Sequence, residues 1–303
     1  MRIETEAPTI RLADYEPPAW LVETVELAFS LDPGATRVRA RLAFRPNPAR
    51  AGEGPLDLRL DGRATRLISA RINGAPVPEN ALTRDDEGLT IAADFLPPDG
   101  FVWEAETEIA PGANTALEGL YMSRGMYCTQ CEAQGFRKIT YFPDRPDVMA
   151  TYRVRIEGEA PVLLSNGDLV ASGPGWAEWH DPHPKPSYLF ALVAGDLVAV
   201  EDRFTTRSGR DVLLQVWVRP GDEMRIVDWL RRVDSASRIE REYDENKRQW
   251  ITLRHGGAQS VFTATDAREA IAVPKPLGAK AFEVVGIPFA AAGFYVVELA
   301  SPK

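Results

Sequence analysis

The chain has 303 residues, enough for two domains of ordinary size, and with 45% hydrophobic and 26% charged residues it has the composition of a globular protein with a sizeable core. Its 44 acidic and 35 basic residues leave a net charge of −9. No basic block or stacking aromatic cluster offsets that balance, which excludes a nucleic-acid surface, whose phosphates need a cationic face. No run of about eighteen apolar residues is present to span a membrane. The stretch MRIETEAPTIRLADYEPPAW has neither the basic n-region nor the apolar core of a secretory signal, so the expected setting is the cytoplasm.

The first elements read as strands. Val25, Leu27, Phe29 and Leu31 alternate with polar or small residues, Asp32-Pro33-Gly34 marks a turn, and Val38, Ala40, Leu42 and Phe44 alternate against arginines, which is a hairpin pattern. The period of two returns at Leu56, Leu58 and Leu60, at Ile68, Ala70 and Ile72 before an Asn73-Gly74 turn, and at Phe101, Trp103 and Ala105. Arg153 to Ile156, Val162 to Leu164, Tyr188 to Val193 and Val212 to Val218 supply further strands. Many short strands between turn signals predict a mainly β chain: an antiparallel sandwich or saddle over residues 1–220. A linker helix is expected within 221–248, from Met224 to about Tyr243 with Asp222 as its cap. A small, incomplete β-rich module follows over 249–303, with strands at Trp250 to Leu253, Ser260 to Thr263, Phe282 to Ile287 and Phe294 to Leu299.

The chemistry concentrates in Tyr121 to Asp147, YMSRGMYCTQCEAQGFRKITYFPDRPD, where Glu132 stands beside a CxxC pair, Cys128 and Cys131. With His180 and His183 that pair could form a Cys₂His₂ zinc set. The histidines sit in a proline-laced HDPHPKP, however, and the β-rich setting does not suit a redox CxxC, which opens a helix. Reduced, structural thiols are the favoured reading. Arg137, Asp144, Arg145 and Asp147 form an alternating charge cluster expected to pin a loop, with a solvated face as the alternative. Trp176 and Trp179 are expected in the core.

Taken with ANTALEGLY before it and LLSNGDLVASG and DPHPKPSYLFALVAGDL after it, this stretch resembles the N-terminal domain of the bacterial aminopeptidase N family of zinc aminopeptidases, over about residues 8–220. The resemblance implies that Gln130 and Glu132 lie in the first substrate pocket and bind the free α-ammonium of a peptide. It implies zinc in the full-length family, held by an HExxH helix and a distal glutamate in a following domain. Neither HExxH nor the family's G-A-M-E-N loop occurs in these 303 residues, so no catalytic residue, metal ligand or cofactor is expected in the chain itself. A peptide N-terminus is expected to bind only together with the catalytic domain, and the resemblance implies that the charges of Arg137, Asp144, Arg145 and Asp147 could instead belong to a contact with that domain.

From Asp222 on, DEMRIVDWLRRVDSAS, FEVVGIPF and GFYVVELASPK resemble a segment of bacterial alpha-2-macroglobulin, over about 222–303. Joining two such segments points to a fusion. Two functional classes follow: a non-catalytic substrate-recognition and scaffold domain of a zinc aminopeptidase, or a binding or structural module of the protease-trapping type. The second is weakened because no C-G-E-Q thioester signature is present.

Overall fold

The computed structural model describes residues 12–205, 208–209, 211–223, 241–244, 249–252 and 294–296. Its contacts divide the chain into two units, residues 1–195 and 196–303.

The strands of the first unit are β1 (Trp20–Ser30), β2 (Thr36–Pro46), β3 (Leu58–Asp61), β4 (Arg66–Ile72), β5 (Ala75–Pro76), β6 (Leu82–Asp85), β7 (Gly88–Ile91), β8 (Phe101–Ile109), β9 (Gly119–Ser123), β10 (Met126–Gln130), β11 (Met149–Glu157), β12 (Val162–Ser165), β13 (Asp168–Gly173), β14 (Trp176–Pro186) and β15 (Leu192–Gly195). They build an eight-stranded sheet in the order β13-β14-β11-β1-β2-β8-β4-β5, a four-stranded sheet β12-β15-β10-β9 and a three-stranded sheet β3-β7-β6. The mainly β architecture expected from the period-two pattern is the one observed.

The alternation has a simple cause: one face of the large sheet is a core wall. Val25, Leu27 and Phe29 of β1, Val38, Ala40 and Leu42 of β2, and Phe101, Trp103 and Ala105 of β8 are buried, while the intervening arginines and glutamates form ion pairs on the other face. Phe29 stacks on Phe190 just before β15, and Trp179 of β14 donates from Nε1 to the Leu163 carbonyl of β12, so the large and the four-stranded sheets share one core.

Several expectations change. Ile68 is exposed, because a bulge between Leu67 and Ser69 slips the β4–β8 register and turns Leu67, Ala70 and Ile72 inward instead. Ser187–Leu189 is a 3-10 turn and the strand starts only at Leu192, so Tyr188 to Val193 is not one strand. Trp176 is half-buried and lies under the Arg155 guanidinium, 4.3 Å from the ring centre, whereas Trp179 is in the core. The HDPHPKP stretch is strand, the end of β14. Beyond His180 that strand pairs only with β11, and a strand bonded on one side tolerates proline.

In the second unit, β16 (Val198–Thr205) and β17 (Asp211–Val218) pair with each other, and β17 pairs in parallel with β20 (Phe294–Val296). The unit boundary therefore falls before these strands, inside the stretch read from sequence as one domain of 1–220. β18 (Arg241–Asp244) and β19 (Gln249–Thr252) form a two-stranded ladder. The expected helix lies outside the described residues except at its end, where this ladder takes the backbone hydrogen bonds of residues 241–244. The strands expected at Ser260 to Thr263 and Phe282 to Ile287 also lie outside them.

Candidate functional site

β9 and β10 form a hairpin whose two turn residues, Arg124 and Gly125, both have positive φ (49° and 83°), the turn that matches strand twist. The hairpin delivers Gln130 to the end of β10. Cys131 follows, 2% exposed, and then Glu132, Ala133 and Gln134 stand in solvent before the chain dives back at Gly135 and at Phe136, which is fully buried. Burying a phenylalanine contributes about 2–3 kcal/mol. Phe136 meets Phe142, Phe190 and Tyr152 edge-on, so it anchors the far end of the turn. The Gly135 N–H closes the loop on the Cys131 carbonyl at 2.8 Å.

Gln130 and Glu132, to which the resemblance gives the peptide ammonium, stand at the start of this turn. The Gln130 Nε2 donates to the Glu132 carbonyl at 3.3 Å, which leaves Oε1 as an acceptor. Among the described residues the Glu132 carboxylate makes no hydrogen bond or ion pair. The Glu132–Ala133 peptide is cis. Two acceptors, one of them charged, on the tip of an anchored turn can receive an ammonium group. The cleft beside the loop, about 390 Å³, is lined by Gln134, Arg137, Asp61 and Asp144 and not by Gln130 or Glu132.

Cys128 and Cys131 are both buried and not joined by a disulfide. Burial, and after it the Asp144 charge, pushes the Cys131 thiol well above its ordinary value, which makes it a poor thiolate. Among the described residues no three His, Cys, Asp or Glu side chains converge as metal ligands, and His180 pairs with Arg153 and Asp168 in the large sheet.

Behind the loop lies a polar cluster that the sequence only half revealed. Of the charge cluster expected to pin a loop, Arg137 and Asp144 are in direct contact. The Arg137 backbone N–H and Nε both donate to Asp144 Oδ2 at 3.1 Å, and the Asp144 side chain is 1% exposed. Asp144 Oδ1 receives a 2.5 Å hydrogen bond from Ser187 Oγ, and the Asp144 N–H donates to Asp61 Oδ2 at 2.9 Å. Burial raises the Asp61 carboxyl above its usual range, against the pull of Arg137. Arg145 pairs with Asp147 at 2.7 Å. Nearby, Lys185 donates to Asp181 at 3.0 Å and sits 3.8 Å from the Tyr152 ring centre; burial lowers its pKa to about 8. Nothing in sequence spacing linked Ser187 or Asp61 to this cluster.

Residues 62–189, which hold this loop, match the Peptidase M1 N-terminal domain. This part of the chain is an M1 aminopeptidase-like domain. Aminopeptidase N of Caulobacter vibrioides is 49% identical over 255 residues, covering 80% of this chain and 29% of that protein, and aminopeptidase N of Escherichia coli is 43% identical over 217 residues, covering 69% and 24%. The crystal structure of Legionella pneumophila aminopeptidase A in complex with aspartic acid superposes with a TM-score of 0.65 at 35% identity, covering 71% of this chain and 26% of that one. The chain therefore spans about a quarter of the length of these relatives. Since 80% of 303 residues is about 242, the Caulobacter match runs past residue 220, where the motifs read from sequence ended the likeness.

Proposed function

We propose that the first unit is the substrate-recognition and scaffold part of an aminopeptidase N-like zinc metalloaminopeptidase, in which Gln130 and Glu132 receive the free α-ammonium of a peptide. The observation that carries this reading is the placement of Glu132: an exposed carboxylate without a protein partner among the described residues, on a turn anchored at both ends, inside a stretch homologous to aminopeptidase N. Hydrolysis falls to residues outside these 303, which encode no HExxH.

The magnitude limits what the loop does alone. An exposed ion pair contributes about 0–1 kcal/mol, whereas a dissociation constant of about 1 mM needs about 4 kcal/mol. Peptide binding by this chain is therefore weaker than millimolar, and useful affinity requires a second wall that excludes water from the ammonium. Calorimetric titration with a short free-amine peptide tests this. A micromolar dissociation constant that is lost in Glu132→Gln would show a self-sufficient binding module and overturn the scaffold reading. The alpha-2-macroglobulin likeness of residues 222–303 rests on the C-terminal motifs alone, and the Caulobacter match overlaps its first twenty or so residues.

A further inference from the structure

Resting on that reading of Glu132, the geometry points to Asp144 as the positioning residue of the amine-binding loop, acting with Ser187 to hold the loop's two ends at one fixed span. The two ends are referenced to the same strand by different routes. The incoming end is set by the ladder, in which Tyr127 and Cys128 of β10 pair with Ala194 and Val193 of β15, and by Thr129, whose Oγ1 accepts from the Leu192 N–H at 2.8 Å. The outgoing end, at Arg137, has no ladder; besides the buried Phe136 ring and one backbone hydrogen bond from the Arg63 N–H to the Arg137 carbonyl at 3.0 Å, its hold is a set of side-chain bonds. It is tied to Asp144 Oδ2 through its own backbone N–H and its Nε, and Asp144 Oδ1 is tied in turn to Ser187, in the 3-10 turn that leads into β15. The circuit β10, loop, Arg137, Asp144, Ser187, β15 and back to β10 thus runs through one carboxylate.

Asp144 suits that task because each of its oxygens faces a different side of the circuit. It is also too buried to exchange these partners for water: its side chain is 1% exposed and Ser187 is 1% exposed. The Asp144 N–H, donated to Asp61 Oδ2, fixes the hub against β3 as a third reference. The role is distinct from ammonium binding, since Asp144 reaches the loop only through Arg137 and lies behind it. Loss of the hub frees the 135–137 turn to shift, and Glu132 and Gln130 then no longer present their acceptors together.

The test uses the full chain, isotope-labelled, titrated with alanyl-alanine amide and with its N-acetylated form to tens of millimolar, following the amide signals of residues 131–135. The expected result is that the free-amine form shifts these signals and the acetylated form does not. Asp144→Ala and Ser187→Ala should each weaken the response by about threefold or more, and Asn73→Ala, which removes a turn hydrogen bond to the Val102 N–H far along the sheet, should lower stability without changing it. If Asp144→Ala does not fold, Ser187→Ala decides, because it removes one hydroxyl and leaves the Arg137 pair intact. Folded Asp144→Ala or Ser187→Ala protein with wild-type affinity overturns the positioning role, as does an equal loss in Asn73→Ala. Wild-type affinity in Glu132→Gln is a different failure: it removes the ammonium reading itself.

Discussion

Gly135→Ala is the most revealing single change, because two physical arguments give it opposite signs. Gly135 has φ −87° and ψ −19°, ordinary helical backbone, so alanine is conformationally acceptable there. Reduced freedom in the unfolded chain would by itself stabilise by about 0.4–1 kcal/mol. A Cβ at this position, however, would lie 2.3 Å from the Gln130 carbonyl oxygen, 2.9 Å from Cys131 Cα and 3.0 Å from the Gly119 nitrogen. All three are backbone atoms and none can rotate away. Gly119 is itself at φ +72°, with Lys138 Cβ 2.8 Å from where its own Cβ would be, so the neighbouring segment cannot give way. The turn must move by roughly an ångström, and overpacking of this kind costs about 1–3 kcal/mol. Steric exclusion therefore wins and the variant is destabilised. With a urea m-value of about 2 kcal/mol/M, a 2 kcal/mol loss lowers the midpoint by about 1 M. The chain's two cysteines, both buried in the first unit, make thiol labelling against urea a reading of that unit alone. Gly74→Ala, at φ +79° with open space around it, is the control for backbone cost alone, about 1 kcal/mol. A Gly135→Ala midpoint at or above wild type would refute the steric account of the loop.

Asp144→Ala, which leaves the largely buried Arg137 only the Asp144 backbone carbonyl and Asp61 at 3.7 Å, should cost about 3 kcal/mol, whereas Asp85→Ala, which opens an exposed pair with Arg59, should leave stability nearly unchanged; urea midpoints of the two variants decide. The folded Lys185 has a pKa of about 8 against 10.5 when free, so between those values the unfolded chain binds more protons and stability rises with pH, by roughly 1 kcal/mol per pH unit from this group. The raised thiol of Cys131 acts in the opposite sense, beginning about a unit below its ordinary 9.0, so the rise is read just above pH 8, where the lysine dominates. Lys185→Met should flatten the rise there, and an unchanged slope would contradict the assignment. The purified chain should hold no stoichiometric zinc and release no amino acid from alanyl or arginyl amides; elemental analysis finding one zinc per chain would overturn the assignment of catalysis to residues outside it.

What the sequence by itself determined was the mainly β character and most of the core, since a strand with one buried face must alternate and that alternation is local. Val25, Leu27 and Phe29, or Phe101, Trp103 and Ala105, are readable without any partner strand. The loop that holds Gln130 and Glu132 could be singled out from its motif alone, because a dense local pattern needs no knowledge of the fold; their role as an amine-binding pair rests on the resemblance. Register and long-range pairing were not. Ile68 faces solvent because a bulge against β8 shifts its phase, and β1 lies parallel to β11, more than a hundred residues away, which no local pattern specifies. HDPHPKP could become strand only because β13 ends and frees one side of β14 from the ladder. The support of the candidate site belongs to the same class. Arg137 and Asp144 are close in sequence, but Asp61 and Ser187 join them only when β3 and the turn before β15 are brought alongside. Tertiary structure alone decided these, because a buried carboxylate takes its partners from whatever the packed strands place within hydrogen-bonding reach, and sequence distance has no bearing on that.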